Sequence, residues 1–414
     1  MKVFFKTFGC RSNIFDTQLM ISMLKSHTLS SEEEADIIVI NSCTVTNNAD
    51  KTLKEYISKI KKQNKKIFFT GCALESVGKD FYEKNIIFGA FGHSKKAEID
   101  TFLNANKPFF HKNDLSAIDN IAINKMSGKT RAFIKVQEGC NFKCSYCIIP
   151  QVRGKARSLN RNLILNQIAN LANNGISEVV LSGTNLGSYG KDTNDLLSKL
   201  ILDIAKIDGI ERIRLGSLEP SQIKDDFLEI LDLAKIERHL HIAIQHTHNA
   251  ILKAMNRINR FEKDLALFEI LAKKGFALGS DFIVAFPNES DEIFEVAFNN
   301  LKTMPLTHIH CFIYSPRNGT KSALMPNIIP KIIAKERLSR VKSLIDSNNF
   351  AFRQTLKQNN VALNILVESK KGEFFYGFDE FFNKIAIKSN KNLAKTWLKT
   401  SDFIVKKDIN YAEI

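Results

Sequence analysis

Long apolar runs are missing from this 414-residue sequence. No stretch approaches about 18 consecutive apolar residues, so no membrane-spanning helix and no membrane partner are expected. The N-terminus, MKVFFKTFGCRSN, lacks the apolar core and small-residue cleavage site of a secretory signal. A cytoplasmic protein is therefore expected. Repeats of fixed period, low-complexity tracts and a Walker A motif are also absent. The glycine-rich GTNLGSYG lacks G-x-G-x-x-G spacing and reads as a loop beside a site, not a dinucleotide fingerprint. Acidic residues are in deficit, 44 against 59 Lys plus Arg, for a net charge of +15. That balance favours a polyanionic partner such as nucleic acid. The 31 phenylalanines and eight prolines, with abundant Asn and Lys, equally fit an AT-rich compositional bias, so charge alone does not decide. Cysteine is sparse and odd in number, at seven. Structural disulfides are not expected in such a chain, and clustered cysteines point to metal or redox chemistry.

What is present is a recurring strand–helix rhythm. Apolar strands fall near 2–8, 36–41 and 67–70, with helices near 15–25 and 47–63, which implies parallel pairing. The rhythm lapses over 104–130 and restarts at 131 for six units. Their strands lie near 132–137, 178–182, 211–215, 239–245, 277–285 and 307–314. Their helices lie near 161–174, 193–207, 222–235, 261–275, 290–303 and 330–357. Six such units suit a partial parallel barrel with its chemistry at the strand ends. Residues 360–414 turn to short alternating segments, which suggests a small β-barrel. The expected α/β architecture is thus an open parallel-sheet domain (1–110), a connector (111–130), a partial (β/α)6 barrel (131–358) and a C-terminal β domain (359–414).

Two cysteine triplets stand out. Cys140, Cys144 and Cys147 follow the first barrel strand in GCNFKCSYCIIP, spaced C-x3-C-x2-C. Thiolates hold iron–sulfur clusters, and three ligands on a four-iron cubane leave one iron open. A zinc knuckle would need a fourth ligand, and the loop offers no histidine. Cys10, Cys43 and Cys72 are far apart but alike in context, each just past an expected parallel strand: FKTFGC, IVINSC and FFTGC. Strand ends of an open parallel sheet converge on one edge, so these three are expected to meet, although isolated cysteines also serve as small core residues. Gly9 and Gly71 permit close backbone approach there. Cys311, on the sixth barrel strand, reads as core.

The spacing of Cys140, Cys144 and Cys147, their place after the first barrel strand and the flanking Tyr146 resemble the radical S-adenosylmethionine superfamily. The chain as a whole resembles the methylthiotransferases, which insert sulfur into a C–H bond and methylate it. TFGCRSN, INSCTVT and TGC match the family's N-terminal cluster domain. QEGCNFKCSYCIIPQVRGKARS matches its radical loop, including Arg153, Gly154, Arg157 and Ser158. VVLSGTNLGSYG, RIRLGSLEP, MNR and YSPRNGT follow in the family's order, and the last 55 or so residues resemble a TRAM domain, a small RNA-binding β-barrel. The resemblance implies two 4Fe-4S clusters, one generating a 5′-deoxyadenosyl radical and one holding sulfur, and two S-adenosyl-L-methionine molecules per turnover. It places Tyr146, Gly183, Glu219 and Gln245 around the cofactor. It implies tRNA as partner, with an electron donor and a sulfur donor.

TFGCRSN and GTNLGSYG look most like the branch acting on N6-threonylcarbamoyladenosine beside the anticodon. Isopentenyladenosine in tRNA and a ribosomal-protein aspartate are the other substrates weighed. From a different class, a non-catalytic iron–sulfur RNA-binding sensor is the alternative. A threonyl carboxylate needs a cation, for which Arg153 and Arg157 are candidates; structural ion pairs are the competing role. Two departures from the family's pattern stand out. L-Q-S-G-S-D is replaced by Ile244, Gln245, His246, Thr247, His248 and Asn249, and G-F-P-G-E-T by Ala285, Phe286, Pro287, Asn288, Glu289 and Ser290. Histidine pairs 246/248 and 308/310 fit packing as well as metal, and no third metal site is expected from them. Lysines at 51, 54, 59, 61, 62, 65 and 66 mark a solvated or phosphate-facing stretch. Lys384, Lys388, Lys391, Lys395, Lys399, Lys406 and Lys407, with Phe374, Phe375, Tyr376 and Trp397, could serve RNA, although most of those aromatics are expected in the core.

Overall fold

The computed structural model describes residues 1–45, 47–118, 121, 123 and 130–414. The expected connector therefore lies in good part outside the described residues from 119 onward.

The first sheet holds β1 (Lys2–Thr7), β2 (Thr28–Leu29), β3 (Ile37–Ser42), β4 (Lys66–Gly71), β5 (Gly89–Phe91) and β6 (Phe109–His111). They run in order 2-1-3-4-5-6, and all are parallel. β3 is buried at every position, as a parallel strand covered on both faces should be. Val3, Ile37, Val39 and Phe68 face one core cluster, while Ile38, Ile40, Ile67 and Phe69 face the other. The stretch 104–130 is not uniformly irregular, since β6 closes one edge of this sheet.

The barrel strands are β7 (Arg131–Glu138), β9 (Glu178–Gly183), β10 (Arg212–Leu215), β11 (His239–His241), β12 (Ala277–Val284) and β13 (Leu306–Ile313). β8 (Arg157–Ser158) pairs antiparallel to the end of β7. β7, β9 and β10 pair in parallel, as do β11, β12 and β13. Parallel bridges at Ile213/Ile236 and Leu218/Ile242 join the two halves into one curved wall. The expected units are present, with helices at Arg161–Asn173, Leu197–Ala205, Asp225–Ile230, Phe261–Lys273, Asp291–Thr303 and Lys331–Gln358. Their starts carry recognisable chemistry: Ser290 accepts from Ile293 N at 3.3 Å, with Asp291 and Glu292 in the first turn, complementing the helix dipole.

β14 (Leu363–Lys371), β15 (Phe374–Phe378), β16 (Lys384–Lys388), β17 (Trp397–Thr400), β18 (Ile404–Val405) and β19 (Asn410–Glu413) form a curled sheet in order 17-14-15-16-19-18. It seats on the starting ends of the barrel strands. Arg131 pairs with Glu368, Arg214 donates to Asp379 O at 2.8 Å, and Trp397 Nε1 donates to Ser177 Oγ at 2.9 Å. The first sheet seats at the opposite end. Its helix Arg11–Ser22 buries Phe15 and Leu19 in the barrel's own core, beside Ile134 and Val136. Truncating a buried phenylalanine of this kind costs about 3–5 kcal/mol, so the two sheets are firmly joined. Among the described residues no helix is long and apolar enough to cross a membrane.

Candidate functional site

Register levels the first cysteine triplet. Thr7 lies opposite Asn41, Asn41 opposite Thr70, and Ser42 opposite Gly71, so the three strands end side by side. Cys43 and Cys72 follow at once, and Cys10 sits at the start of helix Arg11–Ser22. Asn13 fastens the edge, donating to Phe8 O at 2.7 Å and Ser42 O at 2.8 Å. Gly9 (φ +103°) and Gly71 (φ +102°) are required here: a Cβ on Gly9 would fall 2.6 Å from Cys43 Cβ, and one on Gly71 2.3 Å from Ser42 O. All three cysteines line one cavity. Burial pushes the Cys43 thiol up to about 11 and raises that of Cys72, opposed at Cys72 by Arg153. Buried as free thiols, Cys43 and Cys72 are poor thiolates; a metal that supplies positive charge reverses that. The donor set fits a three-thiolate iron–sulfur ligand edge.

The second triplet lies on the loop after β7. Gly139 (φ +77°) leads into it, where a Cβ would meet Lys155 O at 2.0 Å. Cys140 N donates to Gly154 O at 3.0 Å, and Cys147 N to Cys144 O at 3.1 Å. Asn185 Nδ2 reaches Cys140 Sγ at 3.5 Å. The MNR motif holds the loop from the side: Ser145 N donates to Met255 O at 2.9 Å and Asn256 Nδ2 to Lys143 O at 2.7 Å, while Arg257 pairs with Glu219 at 2.5 Å beside them. Burial pushes Cys147 up to about 12 and raises Cys144, where Arg257 opposes it. Burial likewise raises Glu219, again against Arg257. Arg257 thus carries charge balance for the loop, a role the MNR letters alone did not reveal.

The expected cofactor residues surround this loop unevenly. Tyr146 is half-buried and meets Phe286 edge-on at 6.4 Å. Gly183 ends β9 where a Cβ would lie 2.8 Å from Gln137 Oε1, the atom that accepts Asn185 N at 2.8 Å. Gln245 sits at φ +68°, its backbone paired to Asp281 O and Ile283 N. Ser158 Oγ ties the GTNLGSYG loop, accepting from Gly190 N at 2.8 Å. Cys311 is buried in the barrel core, where its sequence position put it.

Neither arginine expected to face a substrate anion is free to do so. Arg153 is 2% exposed. Its Nε donates to Cys72 Sγ at 3.2 Å, and its other nitrogens go to Asp16, Glu138 and Asn13. Lys96 and Lys135 complete this buried ionic net on Asp16, with Lys135 also 3.2 Å from Glu138. Arg157 donates to the backbone carbonyls of Leu115, Lys155 and Arg153. Both are fixtures of the scaffold; sequence shows their charge but not its commitment. Arg11, next to Cys10, is different. It lines the cavity, and its side chain makes no hydrogen bond or ion pair among the described residues.

That cavity, about 970 Å³, runs along the barrel from the first triplet to the C-terminal sheet. Its walls include Ser182, Gly183, His241, His308, His310 and Arg353, and its far end Phe378, Phe382 and Lys384. The barrel cysteines are not on its lining. Histidines 246 and 248 belong to packing. His246 stacks on Phe282 at 5.0 Å, and each Nδ1 accepts a backbone N–H, from His248 and Ala250 respectively.

Comparison with known proteins agrees with this layout. The profile of the radical SAM superfamily matches residues 134–301, and that of the uncharacterized protein family UPF0004 matches residues 2–90. A Helicobacter pylori (strain J99) protein, provisionally named a methylthiotransferase, is 49% identical over 99% of both chains. The threonylcarbamoyladenosine tRNA methylthiotransferase MtaB of Bacillus subtilis is 32% identical over 94% of this chain and 91% of its own. A tRNA-2-methylthio-N(6)-dimethylallyladenosine synthase of Thermosipho africanus is 31% identical over 95% and 94%. Among solved structures, the radical S-adenosylmethionine methyltransferase TsrM of Kitasatospora setae shares the fold, with a TM-score of 0.53 and 13% identity over 74% of this chain and 69% of its own. With both profiles and full-length relatives in agreement, the alternative of a non-catalytic sensor falls away, and the chain belongs to the radical SAM methylthiotransferase family, whose radical SAM domain implies a 4Fe-4S cluster and S-adenosylmethionine.

Proposed function

We propose that the chain is a tRNA methylthiotransferase that places a methylthio group on carbon two of N6-threonylcarbamoyladenosine beside the anticodon. The observation that carries this is the cavity wall that brings Cys10, Cys43 and Cys72 together with Arg11. Relatives acting on threonylcarbamoyl- and dimethylallyl-adenosine are 32% and 31% identical, so likeness does not choose between them. The wall chemistry supports the first. The wall is mixed, with Val45, Ile149, Phe312 and Phe382 beside Arg11, His241, His310 and Lys384; a dimethylallyl group needs only the apolar part, whereas a threonyl carboxylate also wants a guanidinium. Arg11 therefore takes the role expected of Arg153 and Arg157.

In this reading Cys140, Cys144 and Cys147 hold a radical-generating 4Fe-4S cluster, with Tyr146, Gly183, Glu219 and Gln245 around S-adenosylmethionine. Cys10, Cys43 and Cys72 hold a second cluster. When bound, these groups supply a carbon radical and the sulfur to be transferred, with two S-adenosylmethionine molecules, an external reductant and a sulfur donor. The chain's own part is to hold the charges. Arg153 offsets charge at Cys72, and Arg257 at Cys144. An anticodon-loop base leaves its stack at a cost of a few kcal/mol or less, which suits entry to a barrel.

The test is anaerobic reconstitution followed by assay on two tRNAs, one with each modified adenosine. The wild type should bind about eight irons, and each triple Cys→Ala variant about four. Product should form on the threonylcarbamoyl tRNA, and Arg11→Gln should raise KM for it at least tenfold with iron content intact. Product on the dimethylallyl tRNA alone, or on a ribosomal protein alone, would overturn the substrate assignment.

A further inference from the structure

We propose that the barrel carries a third, mononuclear metal site, formed by His241, Asp281 and His310, which takes a divalent transition-metal ion. The three residues come from adjacent parallel strands β11, β12 and β13, where register sets His241 opposite Gly279 and Asp281 opposite His310. One donor atom from each lies within 4.8 Å of the others. His241 Nε2 is 3.2 Å, and His310 Nδ1 3.5 Å, from the same oxygen, Asp281 Oδ1. Donors bound at roughly 2.0–2.2 Å to one ion stand roughly 3–3.5 Å apart, which is the spacing of both histidine–carboxylate pairs.

Three further observations favour an ion over a plain hydrogen-bonded trio. His241 Nε2 is buried and forms no hydrogen bond of acceptable geometry, although the carboxylate is within reach. The two imidazoles sit 4.9 Å apart, tilted by 33°, and each brings one ring nitrogen to the same Asp281 oxygen. Gly279 makes the space: a Cβ there would lie 3.1 Å from His241 Nδ1 and 2.9 Å from His239 Nε2.

Two imidazoles and one carboxylate on one side of an ion leave its other positions open, the donor pattern of facial sites for divalent first-row metals. Here His241 and His310 line the large cavity, so the open positions face whatever enters it, and an oxygen-bearing substrate group is the chemistry they would accept. No thiolate is in the set, so the site is distinct from the two cysteine triplets. It does not depend on the substrate assignment above.

The experiment titrates Mn(II) into the anaerobically reconstituted full chain, whose oxidised cubane clusters are EPR-silent. Bound ion is counted by loss of the aqua-ion signal, and its ligands are read from nitrogen couplings in pulsed EPR. One Mn(II) per chain with two imidazole nitrogens is expected, displaced by Zn(II), the stronger binder of the series. Affinity should fall at least tenfold in Asp281→Asn, which is nearly isosteric, and in His310→Ala, whose side chain is 62% exposed and whose loss should leave the fold and the iron content unchanged. Absence of stoichiometric binding, or binding that survives both substitutions, overturns the proposal.

Discussion

The substitution Arg153→Met keeps most of the side chain's length but removes a guanidinium shared among Asp16, Glu138, Asn13 and Cys72. Taking one member from a buried ion pair costs about 3–5 kcal/mol, because the partner's charge stays behind. Here the carboxylates are not abandoned. Lys135 remains 2.9 Å from Asp16 and 3.2 Å from Glu138, and Lys96 stays on Asp16. The lower end, about 3 kcal/mol, is therefore expected. Iron-free protein should be used, so that cluster loss does not contribute, with urea unfolding followed by circular dichroism. Arg153→Lys should recover only part of the loss, since an ammonium cannot reach all four partners. pH gives a second handle. Burial would raise the Glu138 carboxyl, but Lys135 and Arg153 outweigh it and hold it below the usual range. A depressed carboxylate contributes stability above its unfolded pKa of about 4.3 and loses it as pH falls below that. The acid loss should thus be shallower in Arg153→Met. A cost under about 1 kcal/mol, the range of exposed pairs, would refute the buried-net argument.

Two other outcomes follow from the same structure. Burial pushes the Asp264 carboxyl up to about 6, so the folded chain holds a proton there that the unfolded chain releases near pH 4. Its contribution is full below about pH 4 and fades as pH rises through 6, by up to about 3 kcal/mol; Asp264→Asn should flatten that slope in urea midpoints, and an unchanged slope would rule the group out. The RNA role of the C-terminal sheet is better tested by Lys391, Lys395 and Lys399, all exposed, than by truncation, which would bare Arg131 and Arg214. Changing the three to Gln should lower the salt slope of tRNA binding by about 0.9 for each phosphate that is no longer neutralised, and an unaltered slope would place the RNA elsewhere.

The fold was legible where burial is two-sided. IIVINS is apolar nearly throughout because both faces of β3 are covered, and EVVLSG of β9 comes close to the same run, whereas RIRL and HLH of β10 and β11 alternate. Short partners escaped. β2 and β8 have two residues each, too few for any period, and the WLKT of β17 hides behind lysines. The cysteines were readable because a strand end is a local feature. Trp397 was not: one aromatic near lysines could face RNA, yet its indole binds Ser177 and lies 4.6 Å from the Arg212 guanidinium. Arg153 and Arg11 have the same charge, and only tertiary partners separate the committed arginine from the free one. The His241, Asp281 and His310 group depends on register across three strands, whereas the sequence offered only same-strand pairs such as 308 and 310.

The two departures from the family's motifs, some 40 residues apart in sequence, form one structural change. Where the family usually has glycine, Ala285 sits at φ +60° and Asn288 at φ +68°. Asparagine tolerates that region, but alanine in it costs about 1–2 kcal/mol, so neighbours must enforce the bend. Gln245, in the other departure, also has positive φ, and its backbone brackets Asp281 and Ile283 just before the Ala285 turn. His246, in place of a small serine, fills the space beneath by stacking on Phe282. Its Nε2 lies 3.6 Å from Glu289 Oε2, and that oxygen accepts Phe286 N at 3.1 Å. Arg337 then clamps Glu289 from the long helix at 3.0 Å. The larger histidine and the lost glycine thus sit on the same few contacts. The strand that carries Asp281 is held by these contacts just beyond its end.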